Sequence, residues 1–384
     1  MKTGDGPLSG FRVLDFTRVL AGPYATALLA DLGADVIKVE GPQGDEYRHV
    51  GPFRDGESAL FQTVNRGKRS VVLDLKDPRD VAVARDLAAA ADVVVENFRP
   101  GVMARLGLGA EALMAANPKL VYASISGFGQ SGPNADRPAY DIILQAMTGL
   151  MHVTGHPDGP PTMVGEAMGD VAGGVFATLG IVSALLERER TGRGRLIDVA
   201  LHDSLAAMMP TAAARVLICG ENPQRSGNCH ALSAPFGVYP AGTGYFAVAV
   251  LNDHLFSAFC NVIGQPGLAA DPRFASDTLR RANEPALALA ITDWAANLTA
   301  EAAVTRLAAA GVPAAELTSA EAAWTSAQSV ERALHTGVTH PAIGQISVPE
   351  QPVHFAGLAR GGRRAAPTLD QDGAAIRAGQ EGWR

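Results

Sequence analysis

Between Phe11 and Ile125 the chain alternates short runs rich in Val, Ile and Leu with Ala-rich runs of helical period, and no other feature narrows its fold as much. Residues 11–16, 34–39, 70–75, 92–96 and 120–125 read as strands, with 24–32, 79–91 and 110–117 as helices between them. A helix between two strands returns the chain to the starting end of the sheet, so neighbouring strands run parallel and the helices cover its faces. The expectation is an α/β fold built on a Rossmann-like, doubly wound parallel sheet.

Nucleotide-binding signatures are missing from that frame. No Gly-x-Gly-x-x-Gly follows the first strand and no Gly-Lys-Ser/Thr phosphate loop occurs, so NAD, flavin and nucleoside triphosphates lose their usual sequence support. The 39 acidic and 32 basic side chains leave a net charge of -7 without a basic tail, which argues against nucleic acid. Cys219, Cys229 and Cys260 form no Cys-x-x-Cys pair; neither a disulfide framework nor a metal site is expected. The polar residues 1–10 lack the apolar core of a secretory signal, and the longest uncharged run, 171–186, is short for a bilayer. A cytoplasmic protein without membrane contact is expected, with 171–186 as a tightly packed internal helix.

Further along, the turn Thr191-Gly192-Arg193-Gly194-Arg195 gives way to a helical pattern to about Leu217. Residues 239–251 read as a hairpin turning at Gly242-Thr243-Gly244, Ala-rich helices follow to about Ala310, and 345–348 and 352–355 read as short strands. This organisation divides the chain into a large domain at 1–200, a linker helix at 201–221, a smaller α+β domain at 222–325, and a return to the large domain at 326–384.

Asp170 follows Gly165-Glu166-Ala167-Met168-Gly169 and opens the small-residue helix that begins Val171-Ala172-Gly173-Gly174. An acid at the head of an apolar helix is either an N-cap or a functional carboxylate; Gly169 and Gly173 admit a close neighbour, which capping alone does not require. Nearby, His152 and His156 read as loop histidines with structural or substrate-orienting bonds. Glu166 is either solvent-facing or substrate-tuning, and Arg188 to Arg195 read as a helix C-terminus closing at Gly192.

Ordered blocks then carry a resemblance. Asp15-Phe16-Thr17-Arg18-Val19-Leu20-Ala21-Gly22-Pro23, Asp31-Leu32-Gly33-Ala34-Asp35-Val36-Ile37-Lys38-Val39-Glu40, Asn65-Arg66-Gly67-Lys68-Arg69-Ser70, Glu96-Asn97-Phe98-Arg99-Pro100-Gly101 and Ser126-Gly127-Phe128-Gly129-Gln130-Ser131-Gly132-Pro133 resemble successive signatures of class III CoA-transferases. The likeness continues through Asp170, through Glu187 to Gly194 and through Arg225-Ser226-Gly227-Asn228. It implies an interlocked homodimer, each subunit having a large Rossmann-like domain from both chain ends and a small inserted domain. It also implies coenzyme A as co-substrate, without metal, NAD or flavin, and acyl-CoA and carboxylic acids as partners. By position, CoA contacts fall on Leu20, Ala21, Leu73, Asp74, Leu75, Lys76, Asn97, Phe98, Arg105, Ala139 and Tyr140. The formyl-CoA:oxalate enzymes carry Gln at Leu20, Arg at Gly41 and a tetraglycine loop where this chain reads Gly227-Asn228-Cys229-His230, so a formyl/oxalate specificity is disfavoured.

Within that resemblance Asp170 becomes the nucleophile, with Tyr140 and Gln130 as polar helpers. Exchange of CoA between two acids is nearly thermoneutral and needs only a group on which acyl and CoA are held in turn, which a carboxylate provides. Two rivals remain. An alpha-methylacyl-CoA racemase of the same fold needs a His where this chain has Tyr140, and a non-catalytic CoA-binding protein needs no nucleophile. Residues 147–155 and 344–349 look most like the branch acting on short dicarboxylic acids such as succinate, glutarate and citramalate.

Overall fold

The computed structural model describes residues 6–358 and 364–379. The chain divides into two compact units, one of Met1–Leu150, Val164–Ala214 and Ala327–Arg384, the other of Met151–Met163 and Arg215–Ser326. The sequence-based division ran the large domain unbroken to 200, whereas the structure groups Met151–Met163 with the second unit. Span 201–221, read as one linker helix, holds two helices, Leu201–Ala207 and Pro210–Leu217.

The first unit is built on six parallel strands, β1 (Arg12–Asp15), β2 (Asp35–Glu40), β3 (Arg69–Val72), β4 (Val93–Glu96), β5 (Val121–Ser126) and β6 (Leu196–Ala200), in the order β3-β2-β1-β4-β5-β6. Alternation along the strands splits the core. Val13, Val36, Val93, Val95 and Ala123 face one apolar layer, Leu14, Ile37, Val94 and Tyr122 the other. Helix α1 (Ala21–Asp31) and the long α4 (Met168–Thr191) lie on the first face, α2 (Pro78–Ala90) on the second, so the sheet is doubly wound. Helix α2 starts where Asp77 accepts the Arg79 N–H at 2.9 Å and Pro78 sets the first helical φ.

Three expectations need correction. Strand β6 occupies part of the span read as helix: its five residues join α5 (Leu201–Ala207) through Ala200 without a turn or side-chain cap, leaving no boundary signal. Residues 352–355 form no strand. Instead β11 (Gly344–Pro349) pairs antiparallel with the unforeseen β10 (His335–His340). Finally, α4 spans 24 residues and is long and apolar enough to cross a bilayer by length and composition. It is only partly internal, because Val175, Leu179 and Leu186 are exposed while Ala172, Ala177, Ile181 and Leu185 are buried.

The late residues return to the sheet edge. Asp372 accepts the Ser70 N–H at 3.0 Å and Asp370 the Val72 N–H at 2.7 Å, while Arg377 donates to Val72 O at 3.1 Å. These contacts occupy the outer side of β3.

In the second unit β7 (Phe236–Pro240), β8 (Tyr245–Ala249) and β9 (Ala314–Glu316) form an antiparallel sheet in the order β9-β8-β7. The β7–β8 hairpin closes with Ala241 N donating to Gly244 O, Gly244 taking the positive φ of +83° that the turn demands. Phe246 and Val248 pack on Phe256 and Phe259 of the helix Asp253–Val262 and on Leu287 and Ile291 of Glu284–Ala295. Residues 151–163 join this unit through Arg225, whose guanidinium donates to the carbonyls of His152 and His156, and through Gly227 N to Gly155 O.

Candidate active site

The strand order 3-2-1-4-5-6 reverses direction between β1 and β4. In open parallel sheets that divergence at the carboxyl ends of the strands is where ligands bind. Two cavities lie there, one of about 220 Å³ and one of about 600 Å³, with Arg18, Glu46 and Phe98 lining both. Arg18 links the other two, pairing with Glu46 at 2.8 Å and lying 5.1 Å over the Phe98 ring.

The loop after β1 is held from below by buried charge. Asp15 accepts the Thr17 N–H at 2.8 Å, the Thr26 hydroxyl at 2.7 Å and the Lys68 ammonium at 2.9 Å. Burial alone would raise its carboxyl; the charges of Lys68 and Lys38 and the Thr17 hydrogen bond outweigh burial and hold it below the ordinary range. Lys38 donates to Thr17 O at 2.7 Å and pairs with Asp45 at 2.8 Å. Asp45 then accepts the Val19 N–H at 3.0 Å, and Asn97 brackets Arg18 by accepting its N–H at 2.9 Å and donating to its carbonyl at 2.8 Å. The consequence is Val19 at φ +69°, a left-handed conformation that a β-branched residue keeps only when its surroundings enforce it.

Asp170 is the third residue of α4 and lines the smaller cavity. It is not the cap. The N-cap is Ala167, which has no side-chain cap bond, and the orphan N–H of Gly169 goes instead to Asp141 Oδ1 at 2.7 Å. Asp141 begins the short helix α3 (Asp141–Met147). One turn on, the fully buried Gln145 donates to Asp141 Oδ2 at 2.7 Å and to the carbonyls of Val164 and Glu166 at 3.3 and 3.2 Å, and accepts the Val164 N–H at 2.9 Å. Gly169 is tightly packed, since a Cβ there would lie 3.1 Å from Asp141 Oδ1 and 3.3 Å from Leu144 Cδ1, and those side chains would have to give by a few tenths of an ångström. Further along α4, a Cβ on Gly174 would lie 2.8 Å from Ala21 O, so this glycine seats the helix on α1.

Among the described residues no cation pairs with Asp170. Burial, and secondly the negative charge of Asp141, push its carboxyl up to about 7. Tyr47 shares this neighbourhood: burial, then the charge of Asp170, raise its hydroxyl to about 12.

Leu20, Ala21, Asn97, Phe98, Ala139 and Tyr140 line the smaller cavity together with Asp170, and Leu73, Asp74, Leu75 and Lys76 line the larger. Two expected residues line neither. Arg105 is the exposed end of the helix Val102–Arg105, and Gln130 is held through its backbone N–H by Asp198 while its Nε2 is buried without a partner. His152 and His156 line neither cavity, and Glu166 is exposed. Helix α4 does close at Gly192 with φ 70°; on either side of it Arg188 pairs with Asp92 at 3.0 Å and Arg195 with Glu187 at 2.6 Å. Asp141 and Gln145 escaped the sequence reading, although their i,i+4 spacing on a helix beginning beside Tyr140 was a usable signal. Arg99 and Arg137, which also line the smaller cavity, carried no such signal.

A family model described as CoA-transferase family III matches residues 8–373. The chain belongs to CoA-transferase family III. Across 375 residues it is 45% identical to the acetyl-CoA:oxalate CoA-transferase of Acetobacter aceti, covering 97% of this chain and 95% of that one. It is 39% identical to the succinyl-CoA:glutarate CoA-transferase of Mus musculus, covering 95% and 84% of the two chains. A crystal structure of a CAIB/BAIF family protein from Brucella suis superposes with a TM-score of 0.87 at 37% identity, covering 98% of this chain and all of the other. Enzymes of this class take CoA as co-substrate, and in this chain the smaller of the carboxyl-end cavities lies beside Asp170.

Proposed function

We propose that this family III enzyme moves CoA from an acyl-CoA donor to a short dicarboxylic acid by covalent catalysis on Asp170. The observation that carries the proposal is an unpaired carboxyl, raised to about 7, facing the cavity at the switch point of the sheet.

The steps balance without an outside reactant. The Asp170 carboxylate attacks the thioester carbonyl, the C–S bond breaks, and a mixed anhydride and CoA thiolate result. The thiolate attacks the Asp170 carbonyl of the anhydride, releasing the donor acid and leaving an aspartyl-CoA thioester. The acceptor carboxylate attacks that thioester and forms a second anhydride with release of thiolate. Attack of the thiolate on the acceptor carbonyl gives the new acyl-CoA and frees Asp170.

Thiolate expulsion is the hard part of the first step. An ordinary Asp, at about 3.9 against a thiol at about 8.5, leaves in preference to the thiolate by ~6 kcal/mol. With Asp170 raised to about 7, the same comparison shrinks to ~2 kcal/mol. The environment of Asp170 therefore makes the carboxylate a stronger nucleophile and a poorer leaving group at once.

Both named relatives act on dicarboxylic acids, which supports that acceptor class. The 45% identity to an oxalate enzyme also returns oxalate to consideration, against the reading drawn from Leu20 and the missing tetraglycine loop. A homodimer is part of the same proposal, supported by the exposed apolar residues Val175, Leu179 and Leu186 along α4.

The test pairs a product screen with trapping. Acyl-CoA donors are incubated with succinate, glutarate and oxalate and the CoA products read by mass spectrometry. Hydroxylamine is then used to convert an acyl-enzyme into a hydroxamate at residue 170. Asp170→Asn should fold and bind CoA yet lose several orders of magnitude in turnover; near-native turnover of that variant, verified free of deamidation, would sink the mechanism.

A further inference from the structure

The smaller cavity is lined by three arginines, Arg18, Arg99 and Arg137, and by two acids, Glu46 and Asp170. Arg18 is committed to Glu46 at 2.8 Å. Arg99 and Arg137 have no ion-pair partner among the described residues. Two exposed arginines without an ion-pair partner therefore line a space whose one uncommitted anion is Asp170. Once Asp170 carries CoA as a thioester that anion is gone, and the lining is doubly positive when the acceptor acid arrives.

The two arginines are placed differently. Arg99 follows Phe98, which lines both cavities, so its loop runs along the side shared with the larger one. Arg137 belongs to the segment fastened to the nucleophile. Its backbone N–H is held by Asn134 O at 2.8 Å, and Pro138 fixes the next φ. Tyr140 and Asp141 then lead to the 2.7 Å bond with the N–H of Gly169, the residue before Asp170. The backbone four residues upstream of Asp141 is thereby given a set position relative to Asp170, and the exposed Arg137 side chain extends from it at the cavity lining.

We infer that Arg137 is the specificity residue for the acid: its guanidinium binds the carboxylate that does not react, so that the enzyme selects dianionic over monoanionic acceptors. The inference rests on the transferase reading given above. A dicarboxylate cannot bring its second charge into a half-enclosed cleft without a partner for it, and arginine offers two parallel donors that match a carboxylate. A monocarboxylate of equal length makes the same attack but leaves Arg137 unmatched.

Glutarate and pentanoate, equal in carbon number, separate the roles. In steady-state transfer from a common acyl-CoA donor, Arg137→Met should raise the KM for glutarate roughly 10- to 100-fold, the loss expected of a charge-assisted pair, while Arg137→Lys recovers part of it. The KM values for pentanoate and for the acyl-CoA should stay within about twofold of wild type. Equal rises for both acids, a rise confined to the acyl-CoA, or no change would each overturn the assignment, the second marking Arg137 as a CoA phosphate contact. Saturation-transfer NMR of glutarate with wild type and Arg137→Met supplies a readout without turnover. Glutarate bound by wild type and lost in the variant, in an enzyme that transfers no CoA, would sink the transferase reading and keep Arg137; equal binding by both proteins would sink Arg137.

Discussion

The carboxylate of Asp141 accepts the backbone N–H of Gly169 at 2.7 Å, so the turn before Asp170 is fastened by the same charge that acts on its carboxyl. One side chain thus holds the backbone that precedes Asp170 and adds its repulsion to the effect of burial in raising the Asp170 pKa.

Removing that side chain should separate the two effects. Asp141→Ala loses the bond to Gly169 at a cost of ~1 kcal/mol, the usual worth of a helix N-cap. It should also lower the pKa of Asp170 and cut turnover at least tenfold, as a displaced nucleophile implies. Denaturant melts and a pH–rate profile check both; a profile whose acid limb stays in place would show that Asp141 does not act on the charge of Asp170.

Asp170 itself should leave a mark on stability. Its folded pKa of about 7 lies above the ordinary 3.8, so ionisation disfavours the folded state. The penalty is absent below about pH 4, grows between about 4 and 7, and is complete above about 7. Asp170→Asn, which carries no charge, should therefore melt at a higher temperature than wild type at pH 8 and no higher at pH 4. In the wild type, kcat/KM for acyl-CoA should rise through about pH 7 as the nucleophile ionises. Thermal melts and initial rates across that window decide both points.

Val19→Gly probes the strained loop. Relief of the φ +69° conformation offsets the entropy cost of glycine, leaving a net change within ~1 kcal/mol of wild type. Val13→Gly, in the buried centre of β1, should cost more than ~2 kcal/mol. A Val19→Gly protein as destabilised as Val13→Gly would mean that residue 19 is not strained. The KM for acyl-CoA should rise in the Val19 variant, because the loop lines the cavity.

Proton exchange distinguishes transfer from racemisation. Tyr140 stands where a racemase needs a histidine base, so 2-methylacyl-CoA incubated in deuterated water should keep its alpha hydrogen. Enzyme-dependent deuterium uptake without CoA exchange would decide for the racemase.

Much of this architecture was legible before folding. The first five strands of the sheet and the β7–β8 hairpin announced themselves because each is bounded by glycine, proline or a change of period. Strand β6 lacked such a boundary, and β10 alternates too few apolar residues for its pairing with β11 to be read. Asp170, Tyr140, Leu20 and Phe98, named by motif position, line the smaller cavity. The motif also named Gln130 and Arg105, which line neither cavity, because motif membership says nothing of side-chain direction. Asp141 meets its partner 28 residues away and Asp45 meets Val19 across 26, contacts that exist only once the loops are folded. Buried networks such as Asp15–Lys68 read in sequence as ordinary surface charges.

The edge strand β3 is completed late. Its Ser70 and Val72 N–H groups are satisfied by side chains 302 and 298 residues further along the chain. During synthesis the ribosome must therefore pass the whole of Arg215–Ser326 before this edge can close, and that contiguous stretch is free to fold first. Until Asp370 and Asp372 emerge, the nascent sheet presents open N–H groups on which a strand from another chain can add. A premature stop at Asp370 thus removes the part that seals the sheet, and aggregation rather than a slightly shortened enzyme is the expected fate.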